Sequence, residues 1–305
     1  MTCPKYPKID TLYTRDEKFK VTDEIRRPEF FVPREWLVTE KIHGCNIRVS
    51  LESSRPCIDE LQCNATINPS EFACTCSEQW VMRINGRNDN SQIPPNLLKH
   101  LQDTFTLDRL KSLWRCKKNC TVCRGVGWLP IINPDDLKAD GGTLRCPNLE
   151  PYPITLYGEG YGGGIQKGGG AYTSKTKGGA VSFRLFDVLV GEKNWLRRTD
   201  VEDVAAKLSI KCVPLILPPK SIAFRSDLST TRITFGDVTV AYGEKPWDLE
   251  LITEYVRDGI QSIVAYEEGT EGHMAEGVVA FTAEPLYNNR GQRLMFKLKG
   301  ADFTS

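Results

Sequence analysis

Lys41 stands in Thr39-Glu40-Lys41-Ile42-His43-Gly44-Cys45-Asn46, between the apolar-rich runs Phe30 to Val38 and Ile47 to Leu51. A lysine amine becomes a nucleophile only after losing a proton, so an active one needs nearby positive charge or desolvation to bring its pKa down from about 10.4. Such an amine can attack the α-phosphorus of a nucleoside triphosphate. Taken alone, Lys41 reads as a solvated strand-edge charge. Three downstream segments carry groups that suit the more active reading. Tyr157-Gly158-Glu159-Gly160 puts a carboxylate at the end of a β-rich run, suited to ribose hydroxyls or a metal-bound water, although a plain loop acid explains Glu159 by itself. Glu276 stands at the mouth of the apolar strand Gly277 to Phe281. Met295-Phe296-Lys297-Leu298-Lys299-Gly300 spaces two lysines at i and i+2, so strand alternation sends both ammonium groups to one face. Like charges on one face repel unless an anion lies between them. Together with Glu276 and the lysine-bearing turn, the pair reads as a triphosphate clamp.

The glycine-rich run that begins at Gly158 invites two other readings. Gly158, Gly160 and Gly163 match the dinucleotide pattern G-x-G-x-x-G, but that fold requires a helix to start there. Glycine at seven of the eleven positions from Gly160 to Gly170 argues against a stable helix. The segment Gly169 to Thr176 approaches a Walker loop, yet Ser174 occupies the place of the second glycine before Lys175-Thr176.

The chain has eleven cysteines, and eight fall in two groups. Cys116, Cys120, Cys123 and Cys146 form a Cys-x3-Cys-x2-Cys arm with a fourth thiol 23 positions on, a spacing that suits one tetrahedral structural Zn²⁺. Cys57, Cys63, Cys74 and Cys76 are spaced x5, x10 and x1, less usual for zinc, and free buried thiols compete with a second ion there. Both groups are expected to fold loops too short for a core of their own.

At 305 residues, 40% apolar and 26% charged, the chain is ordinary for a globular protein of one large or two modest domains. A formal net charge of +1 excludes a global positive field, so a polyanion must be held by a local basic cluster. The start, Met1 to Pro7, lacks the apolar stretch of a signal peptide, and no run approaches a membrane span. An intracellular, cytoplasmic protein that engages no membrane is expected. Strands are expected at Ile47 to Leu51, Trp80 to Ile84, Ile154 to Tyr157, Val181 to Leu189, Arg232 to Tyr242, Gly277 to Phe281 and Leu294 to Leu298. Helices are expected at Pro95 to Asp103, Asp200 to Leu208 (with a Thr199/Glu202 capping box) and Trp247 to Gln261. Residues 56–79 and 116–153, rich in Cys, Pro, Gly, Asn and Asp, look like insertions into a β-rich domain.

In order, Glu40-Lys41-Ile42-His43-Gly44, Tyr157-Gly158-Glu159-Gly160, Phe183-Arg184-Leu185-Phe186-Asp187-Val188, Glu276-Gly277-Val278-Val279 and Lys297-Leu298-Lys299-Gly300 resemble nucleotidyl motifs I, III, IIIa, IV and V of the covalent nucleotidyltransferases, the polynucleotide ligases and capping enzymes. The form Lys-Ile-His-Gly-Cys-Asn is similar to the RNA ligase 2 branch. The resemblance implies an α+β nucleotidyltransferase (ATP-grasp-like) fold of antiparallel sheets flanked by helices, with residues 1–305 as one ligase adenylation domain carrying cysteine-rich insertions. It implies an ATP-dependent RNA ligase, of the kind used in RNA repair, that joins 3′-OH and 5′-phosphate ends. Lys41 would form a lysyl-adenylate, with Lys297, Lys299 and Mg²⁺ or Mn²⁺ supplying charge and Glu276 coordinating the metal. Glu159 would hold the ribose, Phe186 would stack on adenine and Glu40 would contribute to nucleobase recognition. His43, Asn46 and Asp187 would help position these groups, and Arg87, with Arg83 as a rival, is the arginine expected after motif I.

With Ser305 five residues past Gly300, no separate C-terminal domain is expected, so either the catalytic domain acts alone or the grip on RNA or nicked nucleic acid falls to a partner chain or to the insertions. Arg115, Lys117, Lys118, Arg124 and Arg145 beside the second cysteine group are candidates for phosphate contacts. Two other classes stay open at this point: a DNA ligase or capping-type guanylyltransferase using the same lysine, and a noncatalytic zinc-dependent nucleic-acid-binding protein.

Overall fold

A computed structural model describes residues 4–54, 79–116, 120–122, 128–130, 143–146, 149, 151–173, 180–218, 232–235, 238–241 and 246–303. Cys57, Cys63, Cys74, Cys76 and Cys123, with Lys117, Lys118 and Arg124, lie outside the described residues. The described residues are mixed α+β with antiparallel sheets, and the short pairing of Asp10–Thr11 with Met295–Lys299 is parallel. Among them no helix is long and apolar enough to cross a membrane.

The chain divides into two compact units. One comprises Tyr6–Cys45, Glu159–Arg184 and Cys212–Ser305. Its sheet has five strands in the order Asp10–Thr11, Met295–Lys299, Gly277–Phe281, Leu37–Lys41 and Leu215–Ile216, and only the Asp10–Thr11 pairing is parallel. Period-2 alternation buries Val38, Val278, Ala280, Phe296 and Leu298 on this sheet with Phe30, Trp36, Ile252 and Val256. The rings of Phe30, Trp36 and Phe296 meet with centroids 4.8 to 6.2 Å apart. The amphipathic helix Leu249–Arg257 packs Ile252 and Val256 into this core, and the Asp248 side chain caps it by accepting from Leu251 N at 2.8 Å. The single helix expected over Trp247 to Gln261 stops early, because Gly259 adopts φ +89° and ends it. A second short helix, Ile263–Glu267, starts from a Ser262 cap. Likewise the strand expected over Arg232 to Tyr242 is a hairpin, Arg232–Phe235 against Val238–Ala241, with Gly236-Asp237 between the β-branched runs.

The other unit comprises Met1–Lys5, Asn46–Gly158 and Leu185–Lys211. Its residues contribute to the strands Asn194–Trp195, Val181–Val190, Ile154–Gly162, Cys45–Ser54 and Gln79–Asn85, in that sheet order. Trp80 and Trp114 meet edge to face at 4.9 Å, and Trp114 Nε1 donates to the Tyr152 carbonyl at 2.9 Å. Helix Pro95–Thr104 falls where its periodicity places it. Helix Arg198–Lys207 begins before the expected cap and has no capping side chain, since Glu202 pairs with Arg198 one turn back at 2.7 Å. The strand expected to end at Tyr157 runs on to Gly162. Beyond it, within the first unit, the glycine-rich run forms one helical turn, Gln166–Gly169, and a 3₁₀ turn, Gly170–Tyr172; this is more helix than its composition suggests and less than a dinucleotide fold needs.

Candidate active site

Lys41 ends the Leu37–Lys41 strand, which lies inside the five-stranded sheet and not at its edge. The register sets Lys41 opposite Gly277 and Gly277 opposite Lys299, so the two lysines flank a glycine across three strands. A Cβ on Gly277 would lie 2.1 Å from the Leu298 carbonyl oxygen and 2.7 Å from Lys299 Cα, so this approach requires glycine. Glu276, one residue before it, bridges the lysines: Oε2 is 2.6 Å from Lys41 Nζ and Oε1 is 2.6 Å from Lys299 Nζ. Burial pushes the Glu276 carboxyl up, but the Lys41 charge and the Lys299 hydrogen bond outweigh it and hold the group below its ordinary range. The anion that relieves lysine repulsion is thus shared by Lys41 and Lys299.

Glu40, next to Lys41 in sequence, points to the opposite side of the strand and is 2% exposed. Its Oε1 accepts from Ser262 Oγ at 2.6 Å and its Oε2 from Val264 N at 3.0 Å. Burial raises its pKa, and these bonds oppose the rise without cancelling it. Both oxygens bond to the start of the Ile263–Glu267 helix, at the residue expected to contribute to nucleobase recognition. The far end of that helix is held by Arg184, buried to 1%, whose guanidinium reaches Tyr161 Oη at 2.9 Å, Glu267 at 2.7 Å and Glu268 at 3.1 Å. The Tyr161 hydroxyl, pushed up to about 12 chiefly by burial, donates to Glu268 Oε1 at 2.9 Å.

After Lys41 the chain turns into tight backbone contacts. A Cβ on Gly44 would lie 2.2 Å from the Gly160 carbonyl oxygen and 3.0 Å from Glu159 Cγ, so the motif I glycine brings its loop against Glu159. Glu159 is half-buried within a strand, not at its end as expected. Burial first and the Glu159 charge second raise the Cys45 thiol to about 11. His43 donates its backbone N–H to the Tyr172 hydroxyl at 3.1 Å. Lys297 lies on the same strand as Lys299, opposite Val279.

Asn46, Arg87, Phe186 and Asp187 belong to the other unit. Asn46 Oδ1 is buried without a hydrogen-bond partner among the described residues. Arg87 is exposed and Phe186 half-buried, while buried Asp187 accepts from Val188 N at 3.0 Å. Arg83 Nε lies 3.6 Å from Glu52 Oε2. The sulfurs of Cys116, Cys120 and Cys146 lie within 4.8 Å of one another, with Cys120 and Cys146 at 3.8 Å and Cys146 fully buried. Sequence reasoning missed Ser262, Arg184 and Tyr172 as partners of the site, because each reaches it through contacts distant along the chain. Their one local signal was Arg184 inside the Phe-Arg-Leu-Phe-Asp-Val segment.

No curated protein matches the chain. Among solved structures, a Naegleria gruberi RNA ligase with PPi is similar at 13% identity, covering 96% of this chain and 61% of the ligase, with a TM-score of 0.41. A mutant of that ligase with ATP and Mn is 15% identical over 96% of this chain and 62% of its own, with a TM-score of 0.42. An archaeal ATP-dependent RNA ligase is 12% identical over 98% of this chain and 49% of its own, also at 0.42. The chain spans less than two thirds of the length of each. The family model for RNA ligase matches residues 34–299, most of the chain, and the chain belongs to the RNA ligase family.

Proposed function

We propose that the chain is an ATP-dependent RNA ligase whose nucleophile is Lys41. The observation that carries this reading is the Glu276 carboxylate bridging Lys41 and Lys299 in a member of this family. Lys41 Nζ, having released its proton to solvent, attacks the α-phosphorus of ATP; the N–P bond forms as the bond to the bridging oxygen breaks, and pyrophosphate leaves. Lys297 and Lys299 place positive charge beside the phosphates. Glu276 is a hard oxygen donor that its neighbours keep anionic, which fits a divalent ion. It would hold Mg²⁺ or Mn²⁺, and the bound ion supplies further charge against the phosphates. Glu159 accepts from the ribose hydroxyls. A 5′-phosphate oxygen of RNA then attacks the adenylyl phosphorus, and the N–P electron pair returns to Lys41. Last, a 3′-hydroxyl loses its proton, attacks the 5′-phosphorus and displaces AMP. His43, Asn46, Arg87 and Phe186 keep the roles that their motif positions imply.

Incubation with α-labelled ATP and Mg²⁺ tests this directly. The chain takes up label, and Lys41→Ala does not; it also joins RNA ends bearing 3′-OH and 5′-phosphate. Label from GTP alone would move the chain to capping chemistry, and no label from either nucleotide would make it a binding protein.

Cys116, Cys120 and Cys146 are the groups we assign to a structural Zn²⁺, because three clustered thiols form a soft donor set that suits this ion; Cys123 is the fourth ligand that the spacing implies. Elemental analysis of the purified chain should find about one zinc at this group, lost in Cys146→Ser. A Cys120–Cys146 disulfide in the purified protein would overturn the assignment.

A further inference from the structure

The strand Met295–Lys299, with the two residues before it, sorts its side chains onto two faces. Leu294, Phe296 and Leu298 belong to the buried core, so alternation sends Arg293, Met295, Lys297 and Lys299 to the other face. At one end of this row Lys299 shares Glu276 with Lys41. At the other end, six residues back and roughly 20 Å along an extended chain, Arg293 closes the hairpin that leads into the strand. That hairpin reads Tyr287-Asn288-Asn289-Arg290-Gly291-Gln292-Arg293, with two arginines, three amides, a tyrosine and no acid. Tyr287 stands directly opposite Arg293, so ring and guanidinium share a face, and Tyr287 is 47% exposed. Asn288 fixes the turn: its Oδ1 accepts from Arg290 N at 2.9 Å and from Gln292 N at 3.0 Å, and the tip presents Arg290 to solvent. Arg27 Nη1 steadies the hairpin from the side by donating to Gln292 Oε1 at 3.0 Å. A cavity of about 210 Å³ lies against it, lined in part by Lys8, Arg27 and Arg293 and by two acids, Asp10 and Glu29, of which Asp10 is paired with Arg27.

We infer that this hairpin and strand face form a binding site for single-stranded RNA, which runs from its reacting end at Lys41 along the row of cations to a base stacked on Tyr287. This rests on the chain being an RNA ligase. A formal net charge of +1 leaves a polyanion to be held by local cations, and here they are aligned on the strand that carries the site. A nucleic acid strand advances about 3.4 Å per charge when stacked, so the row spans about six nucleotides. An exposed ring beside a guanidinium is the pairing that holds unpaired bases: the ring offers a stacking surface to any base, and the cation meets the adjoining phosphate. Arg290, at the tip, adds a second phosphate contact.

The test measures binding of a 5′-phosphorylated single-stranded oligoadenylate to the full chain by fluorescence anisotropy, across a range of salt, beside self-adenylation from labelled ATP. Tyr287→Ala should weaken binding roughly 5- to 100-fold, the range for loss of one base stack, while Tyr287→Phe, which keeps the ring, should bind as wild type does. Arg290→Ala should reduce the slope of log affinity against log salt by about 0.7, the loss of one single-strand phosphate contact. Self-adenylation, which needs no RNA, should be unchanged in all three. On fully paired duplex RNA, whose bases stack on one another, Tyr287→Ala should cost little; an equal loss there would overturn the inference. Wild-type affinity in Tyr287→Ala would do the same. If Tyr287→Ala also loses self-adenylation, the ring serves the fold and Arg290→Ala decides, an unchanged salt slope counting against the site. A wild-type chain that labels itself but ignores the oligonucleotide sinks this inference alone. No label from ATP, with Tyr287-dependent binding intact, would instead sink the ligase reading and leave the site standing; neither label nor binding would remove both.

Discussion

Glu276 and Glu40 flank the same lysine and behave as opposites. Glu276 lies between two ammonium groups at 2.6 Å each and is held below its ordinary pKa range. Glu40 is sealed behind the Ser262–Val264 turn and is held above that range. The side chain is the same, so the difference lies in the partners: cations stabilise one charge, while burial with neutral donors leaves the other partly uncompensated. The comparison teaches that Glu276 is tied electrostatically to Lys41 and Lys299, and Glu40 by hydrogen bonds to the Ser262–Val264 turn.

The sharpest break in this comparison comes from the lysine itself: Lys41→Ala should abolish the labelled adenylate altogether, with both carboxylates still in place. Next in size, Glu276→Ala should slow adenylation roughly 100-fold, as loss of an electrostatic group at a reacting phosphate does, read by single-turnover labelling. Its stability cost should stay within about 1 kcal/mol, because both lysines retain contact with water. Glu40→Ala should reverse the pattern. It leaves the Ser262 hydroxyl and the Val264 N–H without their acceptor, and denaturant unfolding should show a loss of about 2 kcal/mol. If Glu40→Ala instead keeps full stability and loses nucleobase selectivity, the division between the two acids is wrong.

The smallest effect is a pair of pH slopes. The Glu276 pKa is lowered from 4.5, so its contribution to stability is present above that value and disappears as pH falls through the depressed folded value. The Glu40 pKa is raised from 4.5, so its contribution is present below that value and is lost as pH rises through the elevated folded value. Unfolding free energies measured between about pH 3 and 6 should therefore show the penalty of Glu276→Gln growing with pH while that of Glu40→Gln shrinks. Parallel slopes would show that the two environments do not differ as described.

Much of the sheet that carries the site was legible, because alternation in Gly277–Phe281 and Met295–Lys299 is a local property. The hairpin in Arg232–Ala241 and the early stop at Gly259 were hidden by the same periodic signals, which count apolar residues but not turn conformations. The expected Thr199/Glu202 box failed for a related reason: Glu202 had a stronger partner one turn away in Arg198.

By itself the sequence determined which residue types stand near Lys41, Glu159, Glu276 and the Lys297/Lys299 pair, and in what order, together with the clustering of the cysteines. These are properties of short segments. Only the tertiary structure decided that Lys299 shares Glu276 with Lys41, that Glu40 is withdrawn into the protein, and that the His43 backbone N–H meets the Tyr172 hydroxyl. The reason is register. Alternation says that a side chain lies on one of two faces, but the partner it meets there depends on strands and turns paired far along the chain, 235 residues for Lys41 and Glu276.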